Sequence, residues 1–202
     1  LYNKATQELT APGSTFKMIS SAAGLEEGIV NSASLIACVG PYKNVSPSPK
    51  CWVYPGGHGS INVVQALGHS CNCYYYDVGF RLGLEADGTY SSEQGISYIA
   101  KYAEMFGLGG VSGLEIPERE PQISDEDAVR SAIGQGTHIY STSQLAKYAT
   151  GIANKGTVYD LTLLYKVTDK TGNLIKEFEP KVYNKVTDVS ESTFNFVHRG
   201  ME

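Results

Sequence analysis

Long apolar runs are missing from this sequence: nothing approaches the roughly 18 consecutive apolar residues that a membrane-spanning helix needs. Charge is sparse as well. Charged residues make up 18%, and 16 Lys and Arg against 21 Asp and Glu leave a net charge of −5. With no Lys/Arg block, the chain is excluded as a nucleic-acid binder that works through phosphate neutralisation. Cysteine is scarce, with four residues at positions 38, 51, 71 and 73. None belongs to a Cys-x2–4-Cys knuckle, and Cys71-x-Cys73 is too tight for one, so the spacing gives no zinc finger. His58, His69, His138 and His198 have no ligand partners at metal spacing either, so no metal site is expected. His58 and His69 read as cleft structure or surface. Internal repeats are absent.

What is present is ordinary globular composition. Hydrophobic residues are 42%, with 22 glycines and 8 prolines, which rules out a disordered or collagen-like chain. A length of 202 residues suits one domain and is short for two. Fourteen tyrosines against six phenylalanines point to half-buried aromatics or a groove-lined surface. Cys38 and Cys51 bracket a loop containing Pro41, Pro47 and Pro49. A disulfide and free thiols both fit that pattern.

Helical pattern dominates the first three quarters. Pro12-Gly13 marks a turn, and Ser14 to Glu27 reads as a helix with Gly28 as its terminator. Residues 29–60 are turn-rich loop with short extended pieces. Asn62 caps a helix through Leu67, the polar trio Ser70-Cys71-Asn72 interrupts, and a second helical run from Cys73 to Leu82 stops at Gly83. Residues 84–94 read as a polar loop, Ile96 to Phe106 as a helix and Val111 to Glu126 as an acidic loop. Ser141 and Gln144 form a capping-box pair that opens a helix to about Asn154. In the tail the period changes. Leu161 to Val167 and Asn173 to Phe178 alternate as two strands joined at Asp169-Lys170-Thr171-Gly172. One late hairpin after many helices is a lopsided inventory for a free-standing domain.

Two spots can carry chemistry. Ser14 and Lys17 are three apart, so on a helix their side chains share a face. A lysine whose pKa is lowered by burial can serve as the base that activates a serine. The first turn of a helix also favours developing negative charge. Ser70 offers a hydroxyl able to relay a proton, and Asn72 an amide able to orient both a lysine and a substrate carbonyl. Alone, the Ser14–Lys17 spacing is expected by chance about once in a chain of this length, and the Ser70–Asn72 trio is also explained as a helix break capped by small polar side chains, so the two must face one cleft to matter.

Taken together these segments resemble the penicillin-binding transpeptidases. Pro12-Gly13-Ser14-Thr15-Phe16-Lys17 looks like that family's nucleophile motif, and Ser70-Cys71-Asn72 like its second motif. The setting also matches, with Gly57-His58-Gly59, Gln65-Ala66-Leu67 and the run Tyr74 to Gly79 around it. Ser112 to Pro117, Ala132-Ile133-Gly134-Gln135-Gly136, Gln144-Leu145-Ala146 and Ile152 to Val158 are similar to its central blocks. One departure is Ser141-Thr142, where the family has Thr-Pro before the Gln-Leu pair. The resemblance covers essentially the whole chain and is nearest to the class B, elongation-type penicillin-binding protein 2 group.

This resemblance implies an α/β (α+β) serine acyl-transferase fold of the penicillin-binding/β-lactamase type. It also implies D,D-transpeptidation of D-alanyl-D-alanine stem peptides in peptidoglycan cross-linking. Ser14 is then the nucleophile, acylated equally by β-lactams, and Lys17 its base. Ser70 relays the proton and Asn72 holds Lys17 and the substrate amide. No metal or cofactor is implied. Implied partners are peptidoglycan stem peptides, β-lactam antibiotics and cell-wall elongation or glycosyltransferase proteins. The implied location is the extracytoplasmic face of a bacterial membrane, with the parent anchored by a helix outside this sequence.

The family's third motif is Lys-Thr-Gly on a strand edge. Lys170-Thr171-Gly172 is expected not to be that motif, because polar Asp169 and Asn173 flank it in a strand connection. Val197 to Met201 instead resembles the helix that precedes the true motif strand. The expected organisation is therefore a partial transpeptidase domain over 1–202. Residues 1–159 supply the active-site helix and helical subdomain, and 160–202 supply the β-hairpin and a segment leading toward the missing third motif. Much of the central sheet is expected to be missing, and the chain alone to be inactive. Two other readings stay open at this point: a serine β-lactamase or β-lactam sensor, against which Asn72 argues, and a non-catalytic structural or interaction fragment.

Overall fold

A computed structural model describes residues 2–202. The fold is α+β, with its helices gathered around one of their number. That central helix, α2 (Lys17–Glu26), packs against α3 (Val63–Gly68), α4 (Asn72–Leu82), α5 (Ser92–Met105) and α8 (Glu191–Met201). Remaining helices are the short α1 (Lys4–Gln7), α6 (Ala128–Ser131) and α7 (Thr142–Ala153). The reason for α2's place lies in its side chains: every residue from Lys17 to Gly24 is buried, so it has no solvent face until its last turn.

The capping chemistry is as the sequence suggests. Asn62 and Gln65 form a reciprocal capping box at α3, and Ser141 and Gln144 form another at α7. Chain reversal after α2 occurs at Gly28 in the left-handed region, φ +69°. The helix expected from Ile96 starts earlier, at Ser92, because Ser91 accepts the Gln94 N–H and supplies the cap. The stretch expected to be helical from Ser14 begins instead as a 3-10 turn, Gly13–Phe16, and becomes α-helical at Lys17.

Strands are short and form three two-stranded antiparallel sheets among the described residues. Strands β1 (Ile36–Cys38) and β2 (Gly59–Ile61) pair with Cys38 opposite Gly59, closing the long excursion between them. Strand β3 (Thr157–Tyr159) pairs with β6 (Val182–Lys185), a contact the sequence pattern does not reveal. Between them β4 (Lys166–Thr168) and β5 (Leu174–Glu177) make the expected hairpin, although Leu161 to Tyr165 lie outside its strand. Lys170-Thr171-Gly172 occupies the hairpin turn. Asp169 Oδ1 accepts from Thr171 and Asn173 N–H, and Gly172 turns the chain at φ +91°.

Tyrosine supplies much of the core: Tyr74, Tyr75, Tyr102, Tyr140 and Tyr148 are wholly buried beside Phe16, Ile19 and Phe106. Buried hydroxyls need partners, and Tyr75 Oη finds Ser21 Oγ at 2.7 Å while Tyr148 donates to the Thr15 carbonyl. His138 joins this layer with its ring 4.3 Å from that of Phe16. Its Nδ1 accepts the Ser124 N–H at 3.0 Å, and burial pushes its pKa down to about 4.

That burial has a stability consequence. Between pH 6.5 and about 4 the unfolded chain binds a proton at His138 that the folded chain refuses, so stability falls as pH is lowered through that window. The slope is about 1.4 kcal/mol per pH unit at most. Urea unfolding at pH 7, 5 and 4 should show His138→Gln losing less on acidification than the parent. Equal losses would remove His138 as a source of the acid sensitivity.

Candidate active site

The four residues singled out by the sequence meet at one point. Lys17 is completely buried, and the three N–H groups of its ammonium are shared among four oxygens: Ser14 Oγ at 3.1 Å, Ser70 Oγ at 3.0 Å, the Ser70 carbonyl at 2.8 Å and Asn72 Oδ1 at 2.6 Å. Ser70 Oγ in turn donates to Ser14 Oγ at 2.8 Å. Ser14 itself is exposed. The result is a closed triangle of two hydroxyls and an amine, with the attacking oxygen facing outward.

Local structure accounts for this placement. In a 3-10 turn residues three apart eclipse, so the Gly13–Phe16 turn sets Ser14 directly over Lys17. Ser70 and Asn72 flank the sharp junction between α3 and α4. The junction closes with Cys71 N–H on the Ala66 carbonyl at 2.9 Å, and Ser70 there sits at φ +50°, a conformation non-glycine residues seldom adopt. Holding Ser70 in that conformation is what turns both its hydroxyl and its carbonyl onto Lys17.

Burial makes the Lys17 ammonium easier to deprotonate. It draws the Lys17 pKa down to about 8, and the opposing pull of the Cys71 and Cys51 sulfurs is smaller. The other fully buried lysine, Lys147, makes a useful contrast. It is held by the Asp160 carboxylate at 2.8 Å, whereas the hydrogen-bond acceptors around Lys17 are all neutral oxygens. A lysine without a counter-ion can give up its proton near neutral pH and then take one from a hydroxyl 3.1 Å away.

Several supports are not visible in the sequence pattern. Gly13 N–H donates to the Gly134 carbonyl at 3.0 Å, and Ser20 Oγ donates to the Ala132 carbonyl at 2.7 Å. The block after α6 thereby braces the turn that carries Ser14. Gly134, at φ +74°, lies so close that a Cβ there would stand 2.1 Å from the Gly13 carbonyl oxygen. The glycine pattern at Ala132 to Gly136 is visible in the sequence, but its contact partner about 120 residues away is not.

In front of Ser14 lies an open cleft of about 450 Å³ lined by Ser14, Met18, Leu67, Ser70, Gly200 and Met201. Its far wall is the C-terminal end of α8, and no strand residue lines it. Behind the α3–α4 junction, Cys38, Cys51, His58 and Cys71 hold their ligating atoms within 4.8 Å of one another. All four cysteines are free thiols. This group is the one that can hold a metal ion among the described residues, contrary to the expectation drawn from spacing, because its donors converge from separate segments.

Known proteins resemble this chain over most or all of its length. The profile of the penicillin binding protein transpeptidase domain matches residues 1–202. The peptidoglycan D,D-transpeptidase MrdA of Acinetobacter baumannii is 28% identical over 173 residues, covering 77% of this chain and 24% of its own length. The stage V sporulation protein D of Bacillus subtilis is 27% identical, covering 95% of this chain and 28% of its own. Among solved structures, one described as a peptidoglycan synthase complex coordinating polymerization and crosslinking matches with TM-score 0.81 at 26% identity, over 99% of this chain and 33% of that one. Penicillin-binding protein 2B of Streptococcus pneumoniae matches in fold, with TM-score 0.81 at 24% identity, over 98% of this chain and 34% of that one. The chain thus spans about a quarter to a third of the length of these relatives.

The bracing by Gly134 is directly testable. Gly134→Ala should cost roughly 1–3 kcal/mol through backbone strain and the clash with Gly13. Chemical denaturation measures this, and an unchanged midpoint would show that the turn does not depend on that contact.

Proposed function

The chain belongs to the penicillin-binding protein transpeptidase family, and on that premise we propose that residues 1–202 form part of a D,D-transpeptidase domain that cross-links peptidoglycan stem peptides through Ser14. One observation carries this reading. The Lys17 amine is buried, free of any carboxylate partner, and within 3.1 Å of both serine hydroxyls and of Asn72.

The chemistry is set by that geometry. Neutral Lys17 takes the Ser14 hydroxyl proton as Ser14 Oγ attacks the carbonyl carbon between the two D-alanines. The C–N bond breaks, and the proton returns through Ser70 to the departing D-alanine amine, leaving a Ser14 ester. An amine of a neighbouring stem peptide then attacks the ester carbonyl. Its proton passes by the same route back to Ser14 Oγ as the new amide forms. Asn72 keeps Lys17 in place throughout and offers its amide N–H to the substrate peptide. A β-lactam enters as an analogue of the dipeptide and stops at the ester.

Stabilising the carbonyl oxygen in the transition state needs donors on both sides. These residues supply the helix side of the cleft, and the strand side is not built from them. Lys170-Thr171-Gly172 does not supply it, being tied up in the β4–β5 turn. The 202-residue stretch alone should therefore acylate little or not at all. In the cell the whole protein would work outside the cytoplasmic membrane, beside a glycan-polymerising partner of the kind named in the matching synthase complex.

The test uses the whole protein and a fluorescent penicillin. Stoichiometric, long-lived labelling should be lost in Ser14→Ala and slowed about 10²–10⁴-fold in Ser70→Ala. Label that persists in Ser14→Ala would refute the assignment, and rapid repeated hydrolysis would make the protein a β-lactamase instead.

A further inference from the structure

One large aromatic ring stands in water beside the cleft, and the acyl-transfer steps do not use it. We propose that Trp52 is a stacking platform for a sugar ring of the glycan strand that carries the donor stem peptide. The identity of the sugar rests on the transpeptidase reading.

Trp52 is the one tryptophan of this chain, and it is left 65% exposed although an indole gains more from burial than almost any other side chain. It is nevertheless held in place. Its indole N–H donates to the His69 carbonyl at 3.2 Å, and its ring meets the His58 ring with centroids 5.5 Å apart. The turn that carries it is closed by Tyr54 N–H on the Cys51 carbonyl at 3.0 Å. A ring fixed by its polar edge, with most of its surface open, has little side-chain freedom left to lose when a ligand stacks on it.

Position ties the ring to the reaction. His69 lies between Gly68 and Ser70, which both line the cleft in front of Ser14. Ser70 Oγ is 2.8 Å from Ser14 Oγ, and ordinary bond lengths from there to the His69 carbonyl put Trp52 Nε1 within about 11 Å of the nucleophile. In a pentapeptide stem, four residues lie between the sugar and the bond that Ser14 attacks, and fully extended they reach about 14 Å. The tethered sugar can therefore lie on Trp52 while the scissile bond lies at Ser14.

The surface chemistry selects a sugar over other occupants. One face of a pyranose presents C–H groups that stack on an indole, while its hydroxyl and N-acetyl groups stay free for water and for the exposed His69 imidazole. Charge agrees. No Asp or Glu occurs from Gly28 to Tyr76 in a chain that has 21 of them, and that stretch holds Lys43 and Lys50, so the surface suits a neutral or acidic ligand. A single ring offers far less than the roughly 800 Å² a side that a stable protein interface buries. With no Lys/Arg block beside it, the ring lacks the cationic groove that stacked nucleic-acid bases need.

The test gives the whole protein two acyl donors, a free stem pentapeptide and the same peptide attached to its disaccharide. A tetramer of N-acetylglucosamine serves as a separate sugar probe. Wild-type protein should use the sugar-linked donor with kcat/KM about 10-fold above the free peptide, and Trp52→Ala should erase most of that preference through KM. Trp52→Phe keeps an aromatic face and should retain most of it. Ile175→Ala, at an equally exposed apolar residue of β5, should change neither donor. Saturation-transfer magnetic resonance should show the tetramer in contact with wild-type protein and not with Trp52→Ala. Wild-type protein that prefers neither donor would overturn the platform, as would a Trp52→Ala variant that loses both donors equally. Saturation transfer that survives Trp52→Ala would overturn it too, and transfer to the free peptide in place of the tetramer would make Trp52 a peptide contact instead. Failure of the transpeptidase reading is seen separately, as no penicillin label on Ser14 and no product from either donor, and the tetramer still decides whether Trp52 binds sugar.

Discussion

The structure depends on keeping one ammonium-bearing side chain out of water without giving it a counter-ion. A buried lysine is expensive, and most proteins relieve the cost with a carboxylate, as this chain does at Lys147 and Asp160. At Lys17 the cost is only partly relieved, by four contacts to neutral oxygens. The unrelieved remainder is what lowers the proton affinity of the amine. Stability given up there becomes reactivity at Ser14.

Holding that arrangement takes contacts from across the chain. The Ser14 turn is braced by Gly134 and by Tyr148 on the Thr15 carbonyl, and behind it Ser21 links the Lys17 carbonyl to Tyr75. The junction bearing Ser70 and Asn72 rests on the capped α3 and on Cys71, whose sulfur belongs to the thiol–imidazole group. The tyrosine-rich core serves the same purpose. Phenol side chains fill the volume of a large apolar residue and still offer a hydroxyl for the polar atoms that a buried lysine brings with it.

Much of this was legible in the sequence because the decisive features are local. The caps at Asn62 and Ser141, the stop at Gly28, the turn at Asp169 to Gly172 and the pairing of Ser14 with Lys17 all operate within four residues. The meeting of Ser14 with Ser70 and Asn72 is non-local, and was reached through resemblance rather than through periodicity. The hidden features are non-local and have no resemblance to lean on. The β3–β6 pairing joins short strands separated by a hairpin. The pressing of Gly134 on Gly13 joins two turns far apart in the chain. Thiol spacing misled most. Cys38, Cys51, His58 and Cys71 match no knuckle pattern, yet an antiparallel pairing and one helix junction bring them within a metal ion's reach.

The central claim is that burial, uncompensated by a carboxylate, leaves Lys17 ready to act as a base near neutral pH. Titrating the isotopically labelled lysine side chains by nuclear magnetic resonance, with Lys17→Arg to assign the resonance, tests it directly. One ε-amine should titrate at about 8, below the ordinary lysine value of 10.5. A Lys17 signal that stays protonated up to the ordinary lysine range would contradict the claim.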